Sequence, residues 1–184
     1  MENNKIEQKI AYDDGKYKIF NVSDGPVDHR KIVCDTEAIC LIPFDTSSGK
    51  IQNIYLSPQS DYLDGSMKRV SMCYESKGEF SSNFEEVHSL CKDNLNIDCD
   101  VNDVYFLGKI KHQFPFQKTY KCYAINLDNY SEDEGGFKLD LPPSEINQRN
   151  STIEKIKFNR VMNGEIEDSI CLSSAMLLVS YLNS

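Results

Sequence analysis

The sequence lacks any apolar run that approaches the roughly 20 residues needed to cross a bilayer. Its first stretch, MENNKIEQKIAYDDGKYK, is polar and lacks the apolar core of a signal peptide. Basic residues are also few, since 20 Lys and Arg stand against 29 Asp and Glu, which gives a net charge of −9. Phosphate groups attract clustered basic side chains. We therefore expect an intracellular protein with no general nucleic-acid binding and no membrane partner.

The seven cysteines include no C-x-x-C pair, and their number is odd. Most of them lie inside apolar patterns such as KIVCD, AICLIP and YKCYAI. A zinc site needs closer ligand spacing, and a disulfide framework suits a secreted chain. We therefore predict buried, reduced thiols.

The length of 184 residues and the 40% hydrophobic content predict a single domain over residues 1–184. Residues 1–28 form an N-terminal extension, in which the Asp14-Gly15 turn signal predicts a hairpin. Residues 128–152 are polar, acidic and interrupted by Gly and Pro pairs, which predicts a long loop.

The stretch 70–97 reads as a strand, a loop and an amphipathic helix over 82–95. Ser82 can cap the helix while Glu85 reaches back, which is a capping box. At 100° per residue one stripe predicts the core face, made of Phe84, Val87, Cys91 and Leu95. The opposite face, where a site would lie, carries Glu86, Ser89 and Asp93.

This strand, loop and helix resemble the Nudix box, whose pattern is G-x5-E-x7-R-E-U-x-E-E-x-G-U, with U an aliphatic residue. The resemblance places the structural positions at Cys91, Asn96 and Ile97. Ser89 and Leu90 then replace the Arg-Glu pair, and Asp93 and Asn94 replace the Glu-Glu pair. Upstream, Glu79 can take the place of the single glutamate, and Cys73 stands where the first glycine belongs.

In that family the helix carboxylates hold the divalent metal that activates water against a diphosphate. The candidate catalytic residues are therefore Glu79, Glu86 and Asp93, with Glu79 and Asp93 as metal ligands and Mg²⁺ as the cofactor if the box is active. Glu86 and Asp93 are seven residues apart, a rise of roughly 10 Å, so the two cannot chelate one ion. We favour the alternative that these acids form a solvated helix face. On that interpretation the box is inactive, and no cofactor is expected.

The end of the chain resembles the tail of the Nudix enzymes that act on ADP-ribose and GDP-mannose. An Ile-Glu strand at 153–154, a short helix at 158–162, a Gly-x-Ile-x-Asp element at 164–168 and a closing helix at 170–182 follow in that order. An acid that often precedes the Ile-Glu strand is replaced by Asn150, Ser151 and Thr152. The resemblance implies an α/β fold, a Nudix-type α/β/α sandwich with a mixed central sheet.

Three functions remain open. The first is a catalytically silent module for binding a protein partner within an assembly such as a virion or another particle. The second is a metal-dependent hydrolase of nucleoside diphosphate-linked substrates, and the third is a nucleotide sensor that does not cleave its ligand. For the first, the predicted contact segments are 1–12, 61–68 and 128–151, and the candidate contact aromatics are Phe114, Phe116 and Tyr130.

Overall fold

The computed structural model describes residues 7–15, 17–24, 27–34, 37–60, 65–76, 82–95, 97–112, 116–130 and 153–184. Within these ranges the chain forms ten strands, three α-helices and a 3₁₀ turn at Val101–Asp103. The strands are β1 Glu7–Asp13, β2 Tyr17–Asp24, β3 Val27–Cys34, β4 Ala38–Ser47, β5 Lys50–Ser60, β6 Met67–Val70, β7 Met72–Glu75, β8 Val104–His112, β9 Phe116–Asn126 and β10 Glu154–Lys157. The helices are α1 Asn83–Leu95, α2 Phe158–Met162 and α3 Ser169–Leu182.

All ten strands belong to one mixed sheet, in the order β1-β2-β3-β9-β4-β5-β10. In addition, β6 pairs with β5, β7 with β4 and β8 with β9. Strand β9 runs parallel to both β3 and β4, and the other pairs are antiparallel. The mixed central sheet is therefore as predicted.

The buried strand β4 divides the core into two layers, because successive side chains of a strand point to opposite faces. Ile39 and Leu41 pack with Val87 and Leu95 of α1 on one face of the sheet. On the other face, the side chains of residues 40, 42 and 44 pack with those of α2 and α3. Helices thus cover both faces, which confirms the predicted α/β/α sandwich.

Strand β4 changes its neighbour on one side halfway along its length. Residues Ala38 to Leu41 pair with β7, whereas residues Phe44 to Ser47 pair with β5. Its other side pairs with β9 from Ala38 to Phe44 without interruption. The sheet therefore forks beside β4, and this fork brings the end of β7 close to the beginning of α1.

The tail of the chain packs through a side chain that bridges two elements. Asp168 caps α3, since its Oδ1 accepts the N–H of Ile170 at 3.0 Å, while its Oδ2 accepts the N–H of Ser71 at 2.6 Å. Gly164, at φ +78°, supplies the left-handed conformation before this element. The strand, the short helix and the closing helix predicted for the tail are present as β10, α2 and α3.

Two sequence predictions about the chain are settled by these elements. The predicted hairpin around Asp14 and Gly15 is present as β1 and β2. The prediction of a polar loop over 61–68 is wrong at its end, because Met67 and Lys68 belong to β6 and pair with Ser60 and Gln59. Residues 61–64 and 131–152 lie outside the described residues. In the described part, no helix is long and apolar enough to cross a membrane.

Candidate functional site

The predicted box helix α1 begins after Ser82, whose Oγ accepts the N–H of Glu85 at 3.2 Å. Its buried side is formed by Val87, Cys91 and Leu95, as the helical periodicity predicts. Phe84 is only half-buried, and its ring lies 5.9 Å from that of His88. The helix is therefore placed as the resemblance implies, and its remaining faces decide what chemistry it can support.

The positions that align with the family's helix acids do not form a carboxylate cluster. Leu90 packs against the core beneath α1. Asn94, one turn later, donates its amide to the carbonyl oxygen of Leu90 at 2.8 Å. Asp93 is exposed, and it accepts a hydrogen bond from the Ser89 hydroxyl at 3.2 Å. Carboxylates at i, i+3 and i+4 of a helix share a face and could bind one ion. Of the three aligned positions here, only Asp93 keeps an acid.

Glu86 corrects the sequence analysis, which placed it on the solvated face of α1 with Asp93. It is 5% exposed, and its Oε2 accepts the hydroxyl of Ser76 at 2.9 Å. The cause is the fork of the sheet, because the end of β7 lies over the first turn of α1. Side chains outside the apolar stripe of the helix are therefore also buried. Glu86 and Asp93 therefore lie in different environments. The third candidate, Glu79, lies outside the described residues.

A charged group beside the first turn of α1 was not found from the sequence. Glu37 forms ion pairs with Lys121 at 2.6 Å and Lys109 at 2.9 Å. Hydrogen bonds from Lys121 and then from Lys109 lower the pKa of Glu37. Lys121 also approaches the Asn83 side chain at 3.4 Å. Lys109 and Lys121 are opposite each other on adjacent strands. This pairing could have indicated the site, but it can be recognised only when the register of β8 and β9 is known.

A histidine and two thiols lie along and after α1: His88 and Cys91 belong to the helix, and Cys99 follows it. His88 Nε2 lies 2.6 Å from Asp98 Oδ1. The neighbouring thiol of Cys91 lowers the pKa of Cys99. The contact with Cys99 and then burial raise the pKa of Cys91. Both thiols lie in the core. Cys91 is buried, as predicted, and this burial makes it a poor nucleophile.

A cleft of about 460 Å³ opens between β6 and the segment that leads into α3. It is lined by Met67, Lys68, Arg69, Val70, Glu165, Ile166, Glu167, Asp168 and Ser169. Arg69 pairs with Glu154 of β10. The Gly-x-Ile-x-Asp element therefore forms one wall of a cleft, which is a role that the sequence analysis did not assign to it.

The three predicted contact aromatics have different standings. Phe114 lies outside the described residues, and only the backbone of Phe116 is described, at the start of β9. Tyr130 is half-buried against the core. Its hydroxyl donates to Asp103 at 2.7 Å and accepts the N–H of Asp100 at 3.0 Å. A contact surface that contains these three aromatics therefore stays a prediction.

Among the residues that the structure describes, the side chains at the aligned positions of α1 do not supply the oxygen ligands of a magnesium centre. Mg²⁺ requires nearly octahedral oxygen ligands, usually carboxylates with water and substrate phosphate. Here a leucine and an internally bonded asparagine occupy two of the aligned positions, beside the single carboxylate of Asp93. Across the described ranges, no group of three His, Cys, Asp or Glu side chains could hold a metal ion.

Comparison with known proteins identifies the architecture. No family model and no curated protein matches the chain. Among solved structures, the chain is similar to an ADP compounds hydrolase, with a TM-score of 0.59 and 16% identity over 97% of this chain and 94% of that one. It is also similar to a Nudix hydrolase from Listeria monocytogenes, with a TM-score of 0.51 and 17% identity over 80% of this chain and 94% of that one. The chain therefore has the Nudix fold, as its box and tail predicted.

Proposed function

We propose that this Nudix-fold chain is a binding or structural module that does not hydrolyse diphosphates. One observation carries the proposal: the side-chain amide of Asn94 donates a hydrogen bond to the carbonyl oxygen of Leu90. The box would place a carboxylate at each of these two positions. The scaffold of the site is intact, since α1 is capped and packed as the box requires. What has changed is the set of donor atoms at the aligned positions of the helix.

The loss of these donors removes two contributions to diphosphate hydrolysis. A bound divalent ion lowers the pKa of the attacking water and neutralises charge at the phosphates. Asp93 alone supplies neither the ligand number nor the charge that Mg²⁺ needs. Glu86 does not substitute for the missing acids, because it is buried beneath Ser76.

Because the fold is retained without these carboxylates, contact with a protein partner is the function that we propose. The segments 1–12, 61–68 and 128–151 and the aromatic residues Phe114, Phe116 and Tyr130 are the proposed contact elements. A net charge of −9 favours a partner with a basic surface, which would also speed association. We place the protein inside the cell, within an assembly such as a virion or another multi-protein particle.

The catalytic part of the proposal is tested with the full chain, ADP-ribose, GDP-mannose and dinucleotide substrates, and either Mg²⁺ or Mn²⁺. We expect no turnover above that of the metal alone. Turnover that is abolished by Asp93→Asn and retained by the neighbouring control Asp98→Asn would overturn it. Asp98 is a suitable control because it pairs with His88 rather than occupying a box position.

The binding part is tested by purifying the chain from its native source and replacing the three segments in turn. We expect loss of the partner for at least one replacement, while circular dichroism shows that the central sheet and the helices are retained. A stable interface should bury at least about 1,000 Å². A chain that stays monomeric at high concentration and recovers no partner would contradict the assembly role.

Hydrolysis of ADP-linked compounds is the second candidate, and it is favoured by the likeness to an ADP compounds hydrolase over 97% of the chain. Nucleotide binding without cleavage is the third. The same ligands in a calorimeter separate these roles, because a sensor releases heat on binding but forms no product. Tight nucleotide binding without turnover would favour the sensor over the structural module.

A further inference from the structure

Three cysteines stand side by side on three adjacent strands of the sheet. Cys40 of β4 is opposite Cys73 of β7 on one side and Cys122 of β9 on the other. The Cys40 and Cys122 thiols are buried, and the hydroxyl of Ser174 on α3 lies 3.6 Å from the first and 3.7 Å from the second. Cys73 is exposed, unlike the other five cysteines whose side chains are described. This row therefore joins one accessible thiol to two inaccessible ones.

The backbone shows how closely Cys40 and Cys73 approach. The N–H of Ser76 donates to the carbonyl of Glu37 at 3.0 Å, which makes these two residues a hydrogen-bonded pair. Such pairs alternate along an antiparallel ladder with pairs that exchange no hydrogen bond. Three steps along the register, Cys40 and Cys73 are therefore a non-hydrogen-bonded pair. The Cα atoms in such pairs are about 4.5 Å apart, within the range of a disulfide, which is roughly 4.4–6.8 Å.

We propose that Cys73 is an oxidation site that forms a reversible cross-strand disulfide with Cys40. The oxidant is a peroxide, which reaches the exposed sulfur of Cys73 and not the buried sulfur of Cys40. This modification is independent of whether the box is catalytic.

The two steps balance. The Cys73 thiolate attacks one peroxide oxygen, so that an S–O bond forms, the O–O bond breaks and hydroxide leaves. Cys40 then gives up its proton while its sulfur attacks the sulfur of Cys73, and the S–O bond breaks with release of water. In total, two thiols lose two protons and two electrons, and one hydrogen peroxide takes them up to become two waters.

Cys122 is the competing partner for Cys40, and two features disfavour it. Its strand runs parallel to β4, and its thiol is buried, so that peroxide does not reach it. The neighbouring Cys40 thiol and then burial raise the pKa of Cys122 far above its usual value.

The test treats the reduced full chain with hydrogen peroxide, alkylates the remaining thiols and maps peptides without reduction. We expect the Cys40 and Cys73 peptides to be linked, with two thiols lost in total and both recovered with dithiothreitol. The disulfide closes a loop in the unfolded chain, so the melting temperature should rise by roughly 5–15 °C. Circular dichroism before and after oxidation confirms that the fold is retained.

Three variants make the outcome decisive. Cys73→Ser should abolish the link, Cys122→Ser should retain it, and Cys40→Ala should leave Cys73 trapped as a sulfenic or sulfinic acid. If Cys40→Ala fails to fold, the Cys73→Ser and Cys122→Ser pair still decides the proposal. A link between Cys73 residues of two copies, a link from Cys73 to Cys122, or no loss of thiols would each overturn it.

Discussion

Asn94 donates its side-chain amide to the carbonyl oxygen of Leu90, 2.8 Å away and one helical turn earlier. In a helix this pair faces the same direction. The aligned acids of a Nudix box would face the metal from there, whereas here the amide is satisfied within its own helix. This relationship is the reason why we propose that the chain keeps the fold without the hydrolytic chemistry.

Returning carboxylates to this face should create a metal site. In the double variant Leu90→Glu and Asn94→Glu, the new acids lie at i and i+4 with Asp93 between them, and we expect Mn²⁺ to bind roughly tenfold or more tightly than in the wild type. Isothermal titration with Mn²⁺ measures the change. The matched control is Leu90→Gln with Asn94→Gln, which has the same shape without charge. Equal affinity in both variants would show that the helix face does not govern metal binding.

Asp45 should be a stabilising carboxylate whose contribution depends on pH. It accepts hydrogen bonds from the Asn53 side chain at 2.7 Å and the Tyr55 hydroxyl at 3.0 Å, and it pairs with Lys155 at 2.9 Å. Burial raises the pKa of Asp45, but Lys155, Asn53 and Tyr55 outweigh burial and lower it overall. We expect Asp45→Asn to lower the free energy of unfolding by about 1–3 kcal/mol at pH 7, measured with urea.

The sign of the pH dependence follows from the lowered pKa. The folded state holds the charged form of Asp45 more strongly than the unfolded state, whose carboxyl has a pKa of 3.8. Its contribution is therefore complete above that pKa and is lost as the pH falls through the lower, folded value. The difference between wild type and Asp45→Asn should shrink in that acidic window. A difference that stays constant through it would contradict this assignment.

Asp168 should stabilise the chain through the two backbone amides that it accepts, from Ser71 and Ile170. Asp168→Ala removes a helix cap and leaves the Ser71 N–H without its acceptor, so we expect a loss of about 1–3 kcal/mol. Glu167→Ala is the control, because Glu167 is exposed one position earlier. Thermal unfolding of both variants measures the effect, and equal melting temperatures would rule out the bridging role.

The layer formed by α3 is tested by two leucines of the same helix. Leu178 is fully buried against the sheet, whereas Leu182 is 45% exposed. We expect Leu178→Ala to lower the free energy of unfolding by about 2–5 kcal/mol, because it opens a cavity. Leu182→Ala should change it by roughly 0.5 kcal/mol or less. Urea denaturation of the two variants gives the comparison. A similar loss of unfolding free energy in both would contradict the packing of α3 against the sheet through Leu178.

Elements with strong periodicity could be predicted from the sequence. The apolar run of β4 is typical of a central strand, and the alternation of its side chains between two core layers follows from that position. The stripe through Val87, Cys91 and Leu95 gave the buried side of α1 correctly. These patterns are local, so each could be recognised without knowing which other element would cover it.

Features that depend on pairing between distant strands could not be predicted in this way. Glu86 seemed solvated because periodicity does not reveal that Ser76 will lie over it. The residues Met67 and Lys68 of β6 are exposed, so they carry no apolar signal for a strand, and their place is set by pairing with β5. The row of thiols likewise appears only when the registers of β7 and β9 against β4 are known.

The fork beside β4 has a consequence for Pro43, which is buried between its two branches. The carbonyl of Glu37 points to the β7 side, where it accepts from Ser76, and alternation directs the backbone of Leu41 and then Pro43 to the same side. Pro43 has no N–H, and described pairing with β5 begins only at Phe44. The missing N–H thus lies between the end of the β4–β7 ladder at Leu41 and the beginning of the β4–β5 ladder at Phe44. Any other amino acid at position 43 would offer β5 a further hydrogen bond, in competition with β7.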